Sequence, residues 1–336
     1  MDHDVTPREA VELYLQDRKT GTAAEATVYS HQSRLSFFIE WCEEADIESM
    51  SELSGLHIHQ YRSWRADGIE PLTLKASLDT LKVFLRFCGR IELVDEGLHT
   101  KIEAIRVPKG ERSKEDMLDA DLAQDILAHL ECWEYCSRAH IQFMLAWRCG
   151  LRLGSLRALD VGDVHPDKRH LSLRHRPETD TPLKNKSGGE REVAIRAETA
   201  QVLQDWIDEA RPDVTDKYGR EPLLATTQGR VARQSVRRCS YAWTRPCMVG
   251  RDCPHGRDPD DCGATEYENA FDCPSSLSPH PIRRGSITHW LSEGVDETTV
   301  SGRMDVSPDV IEEHYDKRSE RQKMESRRQF LDIVDQ

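Results

Sequence analysis

The sequence predicts a mostly α-helical protein with a small β-sheet (α+β), divided into two domains. Three observations carry that expectation. Apolar residues recur at helical spacing through most of residues 6–100. Two short alternating segments bracket a turn-rich stretch between 170 and 195. A polar run over 101–117 separates these regions and reads as a linker. At 336 residues the chain is long enough for two cores.

The first domain spans 5–100. Thr6-Pro7 opens a helix as N-cap and first-turn proline, with Ala10, Val11, Leu13 and Tyr14 as its apolar face. A longer amphipathic run follows from Thr27 to about Glu44, with Val28, Leu35, Phe37, Phe38, Trp41 and Cys42. A third helix is expected over roughly Ser54–Ala66 and a fourth over Pro71–Cys88, the latter carrying Leu74, Leu78, Leu81, Phe84 and Leu85. Beyond the linker, the second domain covers 118–336. Helical runs at about 120–131 and 136–149 precede a strand beginning HLSLRH at His170 and a partner strand at Arg191–Ile195. Helical patterns resume at 198–210 and are interrupted by a Cys-rich insertion, 247–273.

Composition narrows the class. There are 60 Asp+Glu against 46 Lys+Arg, a net charge of −14, and only 12 of the basic residues are Lys. Excess acid with scarce lysine fits a surface kept hydrated at high intracellular salt, so a halophilic archaeal host is the expectation. No stretch approaches the roughly 18 apolar residues of a membrane span, and the first residues (MDHDVTPREA) do not form a signal segment. Membrane and secreted classes drop out and a cytoplasmic protein is expected. Ten Cys in that setting mean thiols or metal sooner than disulfides.

Three segments carry chemistry. In GLRLGSLRALDVGDV, starting at Gly150, Arg152 follows a Gly-Leu at the end of an apolar helix and can aim a guanidinium out of a packed core. In SPHPIRRGSITHWL, starting at Ser278, Ser-Pro marks a helix start near His280. His280 and Arg283 then share a face, an arrangement suited to gripping an oxyanion and moving a proton. In IEEHYDKR, starting at Ile311, Tyr315 has few apolar neighbours and reads as an exposed phenol or a half-buried helix tyrosine.

In their order along the chain, these segments resemble the tyrosine recombinase family, the phage or Xer-type integrases. SPHPIRRGSITHWL is similar to the family's SPHxLRHxxATHLL box, and GLRLGSLRALDVGDV to GLRxSELxxLxxxDI. The likeness runs from about 118 to 330; the preceding helical unit matches the family's core-binding domain in size and place. The resemblance implies a core-binding (SAM-like) domain plus a catalytic domain, closing as a C-shaped clamp on double-stranded DNA with a specific target site, and acting as a homo-tetramer on paired sites. It implies site-specific recombination without a catalytic cofactor: Tyr315 attacks a backbone phosphorus to give a 3′-phosphotyrosine and a free 5′-hydroxyl. Arg152 and Arg283 would hold the non-bridging oxygens and His280 would serve as base or phosphate ligand. The family's general-acid lysine lies on a β-hairpin. Lys184 and Lys186, in PLKNKSGGER, are both candidates and would share a face if the strand continued through them. Where the family places Gly followed by His or Trp, this chain has Ser301-Gly-Arg-Met-Asp-Val306, and Arg303 is the substitute donor.

The insertion holds Cys247, Cys253, Cys262 and Cys273, with His255 nearby, in a stretch too polar to bury a core. Four thiolates can bind a structural Zn²⁺, His255 replacing one of them, although the spacings are not a standard pairing. Redox-sensitive or simply unmetallated thiols are the other readings. The six remaining Cys read as small core residues. Upstream, Arg230, Arg233, Arg237, Arg238 and Arg245 fall in a run without Asp or Glu. With Arg284 they are the expected DNA contacts. The resemblance also implies that the polar C-terminal helix ending in Phe330, Leu331, Ile333 and Val334 docks on a neighbouring subunit. Two alternatives to a recombinase stand: a non-catalytic, zinc-containing DNA-binding regulator derived from an integrase, and a type IB topoisomerase.

Overall fold

The computed structural model describes residues 4–21, 25–105, 116–315 and positions 321, 324 and 328. The chain forms two compact units, Met1–Lys114 and Glu115–Gln336. The predicted C-terminal docking residues lie outside the described residues.

Among the described residues, four helices build the first unit: α1 (Pro7–Thr20), α2 (Glu25–Glu44), α3 (Gly55–Ala66) and α4 (Pro71–Arg90). Thr6 caps α1 reciprocally with Glu9, accepting the Glu9 N–H at 3.3 Å while the Glu9 carboxylate accepts the Thr6 N–H at 3.0 Å. The core is aromatic. Phe38 meets Tyr61 and Phe84 edge-on, with ring centroids 5.5 and 5.8 Å apart, and Tyr14 meets Phe84 at 5.5 Å. Phe37 lies outside this core, under the Arg65 guanidinium at 4.0 Å. Leu13, expected on the buried face of α1, is exposed. The unit also runs past residue 100, because Leu98 and Ile102 are buried in its core and Ile105 packs against it.

The second unit is helical around a small antiparallel sheet. Its helices are α5 (Ala120–Trp133), α6 (Arg138–Arg148), α7 (Leu153–Ala158), α8 (Ala197–Asp205), α9 (Arg233–Trp243), α10 (Pro279–Ser292), α11 (Glu297–Met304) and α12 (Pro308–His314). The sheet runs β1 (Val164–His165), β2 (His170–Leu173), β3 (Arg191–Ala194), with Leu171 opposite Val193 and Leu173 opposite Arg191. The first hairpin strand ends at Leu173, two residues short of the expected HLSLRH run, and its partner begins at Arg191 as expected. Lys184 and Lys186 therefore sit on the connecting loop and not on a strand, and Lys186 opens a helical turn with φ +52°. A second pair, β4 (Ala225–Thr226) and β5 (Gly229–Arg230), is too short to leave an alternating pattern in the sequence. Cys132 is exposed and Cys136 is half-buried in a turn, so these two are not core residues. Among the described residues no helix is long and apolar enough to cross a membrane.

One packing feature fixes the geometry that follows. Helix α10 lies tightly on α6: the Ser286 hydroxyl donates to the Trp147 carbonyl at 2.5 Å. At Gly285 a Cβ would fall 2.1 Å from the Leu118 carbonyl oxygen and 2.9 Å from the Trp147 ring. The start of α10 is thereby held beside the segment that follows α6.

Candidate active site

That segment is Cys149-Gly-Leu-Arg152. Gly150 has φ +59°, and Met304 packs where its side chain would be, so the turn out of α6 needs glycine twice over. Arg152 is the N-cap of α7, its side chain largely buried. On α10, Ser278 is the N-cap and His280 and Arg283 lie within the first turn and a half. The Arg283 side chain crosses to the Gly150 carbonyl, donating from Nη1 at 2.5 Å.

The two arginines converge on one residue. Arg152 Nη2 donates to the Asp305 carbonyl at 2.5 Å, and Arg283 Nη2 donates to the same oxygen at 3.3 Å. Arg152 Nη1 pairs with the Asp305 carboxylate, whose other oxygen accepts from Asn185 Nδ2 at 2.7 Å. Asn185 ties in the loop that carries Lys184 and Lys186, both exposed.

Electrostatics report the same clustering. Burial pulls the Arg283 pKa down to about 9; Arg152 and Arg191 push in the same direction, while Tyr315 and Asp305 oppose them. Crowding of the His280 ring by protein holds its pKa below the ordinary imidazole value. Arg284, Arg283, Lys184 and Arg152 add to the shift. Lys184, and not Lys186, is thus among the charges felt by His280. Arg191, at the start of β3, is likewise lowered to about 10, by burial first. Its Nε donates to the Arg303 carbonyl at 2.7 Å, and its Nη2 is buried without a hydrogen-bond partner among the described residues. Sequence reasoning missed Arg191 and Asp305.

Tyr315 follows α12 and is buried, only 6% exposed, among Ile287, Leu291, Val300, Met304, Val306 and Ile311. It is not the exposed phenol of one sequence reading. Arg284 lies beside its ring, 5.8 Å from the centroid, and is itself buried.

Other predicted residues are placed elsewhere. Arg303 does not face the cluster: its guanidinium stacks 4.5 Å from the Trp290 ring centroid and donates to the carbonyls of Ala194 and Arg148. There it lines a cavity of about 800 Å³ with Trp147, His289 and Trp290. Arg230 is buried in ion pairs with Asp160 (2.5 Å) and Asp216 (2.8 Å), a network that Arg220 and Arg176 also join. Arg245 is 1% exposed and donates to the Ala242 and Ala264 carbonyls, anchoring the insertion. Arg233, Arg237 and Arg238 are exposed on α9, and Arg238 also pairs with Glu268.

The insertion is made of short helical turns. Cys247, Cys253, Cys262 and Cys273 are free thiols that line one cavity of about 20 Å³ with His255. The His255 ring shares a hydrogen bond with Ser275 at 2.8 Å. Burial pushes the Cys247 thiol up, with Arg245 opposing and Cys273 and Cys253 reinforcing. Among the described residues no three His, Cys, Asp or Glu side chains are arranged to hold a metal ion.

Residues 116–254 match the model of the phage integrase family. The tyrosine recombinase XerD of Oceanobacillus iheyensis is 22% identical over 303 residues, covering 88% of this chain and 89% of that protein. Among solved structures, a lambda integrase fragment described as a dimer bound to a core site aligns with a TM-score of 0.64 at 12% identity, covering 94% of this chain and 97% of its own. The Tn1549 transposon integrase in complex with a circular intermediate DNA aligns with a TM-score of 0.64 at 13% identity, covering 98% and 99%. Fold, motif order and sequence similarity agree: residues 116–254 match the phage integrase family, and the chain as a whole is similar to tyrosine recombinases, enzymes that break and rejoin DNA.

Proposed function

We propose that the protein cuts and rejoins DNA at a specific duplex site, with Tyr315 as nucleophile. Supporting this is the meeting of Arg152 and Arg283 on the Asp305 carbonyl, with Tyr315 close enough to bear on Arg283. In the reaction the Tyr315 oxygen bonds to phosphorus as the bond to the 5′-oxygen breaks. A proton reaches the departing oxygen from a lysine, and the phosphodiester energy is kept in the 3′-phosphotyrosine. Arg152 and Arg283 neutralise the charge that develops on the non-bridging oxygens, the largest expected contribution. His280, neutral at pH 7 by the direction of its shift, accepts the phenol proton or binds the phosphate. Lys184 is the better acid of the two candidates because it stands near His280. Arg233, Arg237 and Arg238 supply backbone contacts from α9. Each unit would contact the duplex, and four copies would assemble on two paired sites, inside the cytoplasm of a salt-adapted cell.

Incubation with nicked duplexes cut from a random library, followed by peptide mapping, tests this. A DNA-linked peptide containing Tyr315, lost in Tyr315→Phe, is expected. Adducts that persist in that variant would overturn the assignment. Binding without adducts would favour the non-catalytic regulator, and adducts without site preference the type IB topoisomerase.

A structural Zn²⁺ in the insertion is a separate proposal. Its support is that four thiols and an imidazole line one small cavity in a segment with little apolar core of its own. The ion would cross-link the turns around Arg245. Metal analysis giving less than one zinc per chain would reject it.

A further inference from the structure

Asp305 ends α11 in the left-handed conformation, φ 54° and ψ 58°, a region that favours glycine. What the strained position achieves is a carboxylate set against the edge of Arg152, with Asn185 on its other oxygen. A carboxylate and a phosphodiester present the same paired oxygens to a guanidinium fork.

The surroundings call for an anion. The Arg152 charge bears on both Arg283 and Arg191, Arg191 bears on Arg283 as well, and Asp305 is the carboxylate that opposes the lowering of both. Among the described residues, Arg191 still has a buried donor, Nη2, with no hydrogen-bond partner. Side chain and backbone of Asp305 also do separable work. The carbonyl brackets Arg152 and Arg283 together, whereas only the carboxylate occupies Arg152 Nη1.

We propose that the Asp305 carboxylate is an internal stand-in for the scissile phosphate: it fills the phosphate-binding edge of Arg152 in the DNA-free protein and is displaced when a phosphodiester enters. This rests on the reading of Arg152 and Arg283 as phosphate ligands. The carboxylate keeps the guanidinium aimed and partly neutralised until substrate arrives, and it competes with that substrate.

The test is isothermal titration of the full-length protein with inorganic phosphate. Asp305→Asn leaves the carbonyl bracket and removes the charge; Asp305→Gly does the same with a residue suited to φ +54°. Both are expected to bind phosphate about tenfold more tightly than the unsubstituted protein, and Arg152→Ala in either background is expected to erase the gain. Unchanged or weaker phosphate binding in whichever variant folds would overturn the proposal. So would a gain that survives loss of Arg152, since that would be a general charge effect. Failure of Tyr315 to form a DNA adduct, with these titrations as expected, would remove the recombinase reading and leave the anion site standing.

Discussion

Arg283 donates from Nη1 to the carbonyl of Gly150, 133 positions earlier in the chain, and from Nη2 to the carbonyl of Asp305. The flat fork spans two fixed oxygens and stays aimed; the point charge of a lysine cannot do both. Arg283→Lys is therefore expected to bind duplex DNA while forming the covalent adduct about 10²–10³ times more slowly in single turnover. An unchanged adduct rate would place Arg283 outside the reaction.

Arg230 and Arg237 separate structure from DNA contact. Arg230 is one of several guanidiniums around Asp160, and removing one partner of a buried ion network typically costs about 3–5 kcal/mol. Arg230→Ala is expected to lower the urea midpoint strongly. Arg237→Ala, exposed on α9, is expected to leave stability unchanged and to reduce the slope of log affinity against log salt by about 1. The reverse pattern would return Arg230 to the DNA interface.

These two arginines also mark where sequence reading stops. Arg230 sits in a stretch with no local acid, which suggests an unpaired charge. Its partners Asp160 and Asp216 lie 70 and 14 positions away, and charge balance of that kind is tertiary. Arg152, His280 and Arg283 are singled out by the order of two motif segments that resembles the tyrosine recombinases, and the structure gives each a locally dictated setting: a turn needing glycine at Gly150, a helix cap, a first-turn face. Asp305 has no local mark. Its role arises only because α11 ends in a left-handed turn beside Arg152, 153 positions distant. The helices of the first unit and most of their buried faces were legible from periodicity; Leu13 and Phe37 were not, because their burial depends on what packs against them.

Gly285 is the close-approach point that seats α10. An added methyl would meet the Leu118 carbonyl oxygen and the Trp147 ring, and backbone cannot yield as a side-chain tip can. Gly285→Ala is expected to destabilise the second unit by about 1–3 kcal/mol and to slow adduct formation by shifting His280 and Arg283 together. Chemical denaturation monitored by tryptophan fluorescence reads the first effect. A gain in stability from the better helix former would show that the packing relaxes.

His280 makes stability depend on pH with a definite sign. Its folded pKa lies below the ordinary value of about 6.5, so below pH 6.5 the unfolded chain binds more protons than the folded one. Stability contributed above that pH is lost as the pH falls from 6.5 to the folded value. His280→Gln is expected to flatten part of the decline in the urea midpoint between pH 7.5 and 5.5. An unchanged decline would mean that the ring titrates normally.

Thiol reactivity tests both burial and the insertion. Burial raises Cys42, Cys88 and Cys239 to about 12 and Cys149 to about 11, and the thiolate is the reactive form. At pH 8 these four are expected to resist iodoacetamide until the protein unfolds, whereas exposed Cys132 labels at once. Cys247, Cys253, Cys262 and Cys273 are only half-buried, so as bare thiols they should label nearly as fast as Cys132. If zinc holds them, they label together and only after a chelator is added, as peptide mass mapping would show. Rapid labelling of all four without chelator would leave the insertion to be ordered by Arg245 and its turns alone.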